Sequence, residues 1–257
     1  SDASLRFATE GVALVHNLIC GALTCVGGGT GPRYTPYHMP HRTEVMGFMT
    51  VLHGDDRFYN NIFVQKWPSD DIITMHDSDD GFDTENRAAG TWMFDEYPTY
   101  DEWISQFDFS KPADMAKLYG AHEGKLPVWI EGNAYLGGAK PSKKDVNALI
   151  SAVAREDVRV ELVQKEDGYY LDTNVYELIE GFKNRMIDSD VLGKAFEPEE
   201  RFENPDGTAI RFDSDYFGTH RGVDVIPGPF ASKEEAAKRI YCTTDKARGA
   251  LKSLATE

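Results

Sequence analysis

Apolar and polar residues alternate along this chain in short bursts rather than in long amphipathic runs. Four bursts can be laid over one another: Val15-His16-Asn17-Leu18-Ile19, Tyr59-Asn60-Asn61-Ile62-Phe63, Glu131-Gly132-Asn133-Ala134-Tyr135 and Asp172-Thr173-Asn174-Val175-Tyr176. Each sets an asparagine before two apolar or aromatic residues, and each follows residues of strand character. The asparagines stand 44, 72 and 41 residues apart. Two of these intervals lie near twice a repeat of about 20–22 residues, inside the range of solenoid proteins, and the longer one holds an insertion. In a parallel solenoid, an asparagine at a bend can hydrogen-bond its own backbone and the neighbouring coil. It also tolerates the left-handed conformation of a sharp corner. The pattern predicts an all-β fold made of the later turns of a parallel β-helix.

Between these strands the loops are long. Residues 26–42 carry too many Gly and Pro for regular structure. Residues 66–91 hold the acidic run Asp77-Ser78-Asp79-Asp80-Gly81-Phe82-Asp83. Residues 99–118 read as a helical insertion with Trp103, Ile104, Phe107, Met115 and Leu118 on its apolar face, and 142–154 as a short helix with Ser142 as N-cap and Asp145 three positions on. Alternation returns in Val158–Val163 and Gly168–Leu171, and Asn204-Pro205-Asp206-Gly207 is a turn signal, so antiparallel hairpins are expected there. Residues 233–254 read as a polar helix. The resulting division is 1–140 for the coils with their loops and 141–257 for a C-terminal antiparallel β cap with a few short helices, since a terminal coil needs a different outer face.

Composition narrows the partners. The 257 residues are 41% hydrophobic and 27% charged, enough to bury a sizeable core. Forty-three acidic residues against 27 basic ones give a formal net charge of -16, which argues against nucleic acid and against an anionic membrane surface. No apolar run approaches the roughly 20 residues that span a bilayer. Cys20, Cys25 and Cys242 lack zinc-type spacing. The chain opens on Ser1 without a methionine and is in strand pattern by Val12, which reads as the C-terminal portion of a longer protein; neither the compartment nor the oligomeric state follows from it.

The densest chemical cluster is His53-Gly54-Asp55-Asp56-Arg57. Adjacent carboxylates entering a strand point to opposite faces, so one at most meets a given cleft, and Arg57 could hold one of them ionised. Glycosidic cleavage needs a second carboxylate. Glu96, among Trp92, Met93, Phe94 and Tyr97, has neighbours that could raise its pKa as a general acid requires; Glu131 and then Glu85 follow. Without catalysis, these residues form a charged turn and surface carboxylates. His38, His41 and Arg42 lie in a proline-rich loop whose geometry rules out helical metal-ligand spacing, and are expected to hydrogen-bond a ligand; no metal site is assigned. The Asp77–Asp83 run resembles a calcium loop loosely, lacking its closing glutamate, so no cofactor is assigned, with calcium the sole candidate. Trp67, Trp92, Tyr34 and Tyr37 could stack on sugar rings. Gly27–Gly31 lacks the ending of a phosphate-binding loop.

The phrases Val15–Ile19, Thr35-Pro36-Tyr37-His38-Met39-Pro40-His41, Gly54-Asp55-Asp56-Arg57-Phe58-Tyr59-Asn60-Asn61-Ile62-Phe63 and Gly132-Asn133-Ala134-Tyr135 resemble bacterial right-handed parallel β-helix glycosidases, with the β-xylosidase family (glycoside hydrolase family 120) the nearest match. The resemblance spans about residues 10–230. It implies a retaining exo-glycosidase acting on an oligosaccharide, with Asp56 or Asp55 as nucleophile and a glutamate, Glu96 by preference, as acid/base. Arg57, Trp92, His38, His41 and Arg42 are the expected sugar contacts. A bacterial cytoplasmic, periplasmic or secreted setting all fit. Two other readings stand beside it. A polysaccharide lyase or epimerase would need a basic pocket, and a non-catalytic carbohydrate-binding solenoid would show aromatics on an open face.

Overall fold

The computed structural model describes residues 3–7, 9–26, 34–38, 41–50, 53–66, 73–76, 84–108, 110–111, 125–196 and 199–240. The strands are β1 (Ala3–Phe7), β2 (Ala13–Val15), β3 (Leu18–Ile19), β4 (Ala22–Val26), β5 (Tyr34–His38), β6 (Val45–Thr50), β7 (Asp56–Tyr59), β8 (Ile62–Val64), β9 (Ile73–His76) and β10 (Thr84–Ala88). A 3-10 turn (Trp92–Glu96) and α1 (Tyr100–Ile104) lead to β11 (Val128–Glu131), β12 (Ala134–Leu136) and β13 (Leu149–Ile150). Then come β14 (Val160–Lys165), β15 (Gly168–Thr173), α2 (Val175–Leu178), α3 (Ser189–Leu192), α4 (Lys233–Ala236) and β16 (Arg239–Ile240). The fold is mostly β with few helices, and its sheets are both parallel and antiparallel.

Two parallel sheets, β2-β7-β11 and β3-β8-β12-β13, run side by side and form stacked layers. Like residues fall on like. Leu14 pairs with Phe58 and Phe58 with Ile130; Ile19 pairs with Phe63 and Phe63 with Tyr135. The inward-facing residues close a core in which Phe58 and Phe94 lie 4.8 Å apart and Phe63 stacks on Tyr135 at 5.3 Å.

Each layer turns from one sheet to the next at an asparagine. Asn61 Oδ1 accepts from Asn17 N (2.9 Å) and Asn17 Nδ2 (3.0 Å), and Asn133 Oδ1 accepts from Asn61 N (2.9 Å) and Asn61 Nδ2 (3.0 Å). The second amide hydrogen reaches a strand carbonyl, Leu14 O from Asn61 and Phe58 O from Asn133. Corner backbone donors that would otherwise be buried without a partner are satisfied in this way. The left-handed conformation falls one residue earlier than the sequence suggests, on His16 (φ 58°), Asn60 (φ 54°) and Gly132 (φ 71°). At Gly132 a Cβ would sit 2.6 Å from Asn60 Oδ1, so glycine is required there by space as well as by φ.

Several sequence expectations change. The 44 residues between Asn17 and Asn61 are a single layer lengthened by an excursion, not two short coils, and the 72 between Asn61 and Asn133 are one layer holding the expected insertion. The β5–β6 hairpin fills part of the first excursion, and the antiparallel β9–β10 pair and α1 fill parts of the second. Asn174 is not in the ladder: it precedes α2, where its side chain bonds Arg159 N and Asp157 O. Residues 142–154 are turns and β13 rather than a helix. Ser142 Oγ is bound to Asp95 Oδ1, and parallel pairing of Leu149 and Ile150 with Ala134 and Tyr135 overrides local propensity.

The segment 99–118 is helical only over α1 among its described residues; 112–118 lie outside them. After residue 150 the expected antiparallel pairing is present in β14–β15, and Glu203 bridges Ala209 across the Asn204–Gly207 turn. The expected terminal helix is confined to Lys233–Ala236 and is followed by β16; residues 241–254 lie outside the described set. Val175, Tyr176, Ile179 and Phe230 pack this part onto Ile62, Val64, Ala134 and Leu136. Among the described residues no helix is long and apolar enough to cross a membrane.

Candidate functional site

Strand alternation sorts the His53–Arg57 cluster. Asp56 and Phe58 face the core, whereas Arg57 and Tyr59 face outward against Trp129 and the cluster of Ile187 and Leu192. Asp56 is buried, accepts from Val12 N at 3.3 Å, and has its pKa pushed well up by burial, with the charges of Asp55 and Glu10 adding to it. Asp55 sits in the left-handed region (φ 56°) just before the strand and turns its carboxyl the other way. Its Oδ1 accepts from Arg57 Nη1 at 2.7 Å and its Oδ2 from Phe196 N at 2.8 Å. Burial still raises its pKa, opposed by Arg57 and by the Phe196 amide.

Arg57 is a hub. Nε donates to Leu192 O and Nη2 to Lys194 O, both at 2.7 Å, and Nη1 also donates to Asp55 O. Its guanidinium lies 4.3 Å from the Trp129 ring centroid and 4.6 Å from that of Phe202. The acceptor carbonyls are presented by the end of α3. That helix starts where the Asp188 carboxylate accepts from the Asp190 and Val191 amides, and it stops at Gly193.

Two cavities adjoin this hub. An open cleft of about 380 Å³ is lined by Tyr59, Thr99, Tyr100, Asp101, Trp129, Glu131, Lys144 and Arg185 among others. The capping box of Thr99 and Glu102 sets the start of α1 and so places Tyr100, whose ring stacks near Trp129 at 6.5 Å. Glu131 accepts a two-pronged bond from Arg185 at 2.7 and 2.6 Å. A smaller cavity of about 240 Å³ is lined by Asp55, Arg57, Tyr100, Trp103, Trp129, Leu192 and Phe196 among others. Tyr100 and Trp129 line both cavities.

Of the residues singled out from sequence, Asp55, Arg57 and Glu131 border these cavities, and Asp56 borders neither. Glu96 is exposed: Met93, Phe94 and Tyr97 face the core while Glu96 faces solvent, so the apolar setting expected for it is absent. Trp92 lies under Lys140 Nζ at 4.4 Å, His38 Nδ1 is 3.1 Å from Glu44 O, and His41 Nε2 pairs with Glu203 at 2.6 Å. These three and exposed Arg42 line neither cavity. The side chain of Glu85, Trp67 and the Asp77–Asp83 run lie outside what is described.

The chain is similar to a solved structure of XylC in complex with xylose, at 28% sequence identity and a TM-score of 0.68. The match covers 88% of this chain and 32% of XylC, so the chain spans about a third of XylC's length. No family model and no curated protein matches. Tyr100, Trp129 and Arg185 are not among the site residues expected from the sequence. The Trp129-Ile130-Glu131 alternation was the available signal, since it sets an aromatic and a carboxylate on one outward face. Arg185 comes from a distant segment and carries no local mark.

Proposed function

We propose that this chain is part of a xylose-acting glycosidase built on a right-handed parallel β-helix, and that the open cleft takes a neutral sugar ring. The observation that carries this is the cleft's make-up. An aromatic platform of Tyr100 and Trp129 is ringed by polar groups from Asp101, Glu131, Lys144 and Arg185, which suits a ring with an apolar face and a hydroxylated edge. The likeness to XylC, seen with xylose, supports the choice of sugar.

The proposed chemistry is retaining two-carboxylate cleavage. Asp55 or Asp56 would attack the anomeric carbon, and Glu96 or Glu131 would protonate the leaving oxygen. Bordering a cavity favours Asp55 and Glu131 over Asp56 and Glu96. A second reading, a non-catalytic sugar-binding wall, is favoured by the arginine held against each of those two carboxylates.

Turnover of aryl β-xylosides by the full-length protein, beside Asp55→Asn, Asp56→Asn, Glu96→Gln and Glu131→Gln, separates these readings. A drop of about 10³-fold or more in kcat with the fold intact identifies a catalytic carboxylate. Xylose binding without turnover would leave the binding wall as the function. No binding of xylose at all would overturn both.

A further inference from the structure

The smaller cavity differs in chemistry from the cleft beside it. Its walls are the rings of Tyr100, Trp103, Trp129 and Phe196, with Trp103 and Phe196 edge to face at 4.8 Å. Its polar floor is largely engaged. Each Asp55 carboxylate oxygen accepts one bond, from Arg57 and from Phe196 N, and four of the five Arg57 N–H groups are placed on Asp55, Leu192 O and Lys194 O. A hydroxylated sugar ring seated here would pair some of its hydroxyls with what remains and leave the others unpaired, at about 1–3 kcal/mol each. A flat apolar ring asks no bond of that floor and gains ring–ring contact with the walls. The space of about 240 Å³ is ample for one such ring, and it shares Tyr100 and Trp129 with the cleft as lining.

We infer that this cavity binds a monocyclic aromatic group carried on the sugar that occupies the cleft. The inference rests on the sugar reading of the cleft and adds the class of group that the sugar carries. The polar cleft and the apolar cavity together then select an aryl glycoside, or a sugar bearing an aryl substituent, over a bare oligosaccharide.

The test is calorimetric binding of methyl β-xyloside and phenyl 1-thio-β-xyloside to the full-length protein, its Phe196→Ala variant and its Phe196→Leu variant. The phenyl compound is expected to bind about tenfold or more tightly than the methyl one. Phe196→Ala should abolish that preference, read as the ratio of the two affinities within each protein; Phe196→Leu, which keeps volume without the ring face, should retain part of it. Equal affinities in the unsubstituted protein would overturn the inference and leave the sugar reading standing. So would a preference that survives both substitutions. Binding of neither compound would overturn the sugar reading and the inference with it.

Discussion

At the scale of single residues, the asparagine ladder ends in a different side chain. Asp145 occupies the position beyond Asn133, accepting from Asn133 Nδ2 at 3.1 Å and from the Tyr135 hydroxyl at 2.5 Å on the same oxygen. Its other oxygen is shielded from solvent without a hydrogen-bond partner. Burial pushes its pKa up from 3.8 to about 6, against the Tyr135 and Asn133 hydrogen bonds and with the charge of Glu131 adding to the rise. The folded protein therefore holds a proton that the unfolded chain has released. Asp145 favours the fold below about pH 4, loses that effect as the pH rises through about 6, and above it leaves an ionised carboxyl in a poor place. Two pKa units correspond to roughly 3 kcal/mol. Asp145→Asn should raise stability at pH 7 by about 1–3 kcal/mol and remove the decline between pH 4 and 6, read from urea midpoints at both ends of that window. An unchanged pH slope would show that the carboxyl is ionised throughout.

At the scale of elements, the corner hydrogen bonds separate true layers from their imitation. Asn61 is buried, and its side chain serves Asn17, Leu14 and Asn133. Asn61→Ala should cost about 3 kcal/mol by stranding those groups, whereas Asn174→Ala, at a half-exposed position where water can replace its bonds to Arg159 N and Asp157 O, should cost about 1 kcal/mol or less. Denaturant titration of the two variants decides it; equal losses would mean that the ladder is not what holds the layers. This contrast also explains what the sequence could and could not reveal. Like-on-like stacking repeats a short phrase in every layer, so the three corner segments were readable. The fourth phrase, at Asn174, meets the same local rule, asparagine before an apolar pair, without the layer above and below that gives the rule its meaning. Residues 142–154 misled for the converse reason: a helix-like capping signal at Ser142 is overruled by pairing with Ala134 and Tyr135. At the site, the Asp55-Asp56 split was readable from strand alternation, while the cleft was not, because Arg185 and α1 arrive from separate segments.

At the scale of the whole molecule, Arg57 fastens the part after residue 150 to the stacked layers through Leu192 O, Lys194 O and, by way of Asp55, the Phe196 amide. Lysine offers one compact ammonium and cannot serve these acceptors in a plane while stacking between Trp129 and Phe202. Arg57→Lys should speed amide exchange across 192–196 by about tenfold or more and leave the corner amides of Asn17 and Asn61 protected, as measured by hydrogen–deuterium exchange. Uniform acceleration over the molecule would show instead that the pair stabilises the stack itself.

The excursions between layers carry a consequence for how such chains drift apart. Lengthening a flexible loop twofold costs only about 0.6 kcal/mol, less than a net corner hydrogen bond of about 1 kcal/mol. Selection can then stretch or shorten the interval from Asn17 to Asn61, or from Asn61 to Asn133, almost without penalty while the corners stay in place. Two descendants of one ancestor would keep the same corners at unrelated spacings. Kinship among them is written in which residues touch across the stack, and a search for a fixed period passes over it.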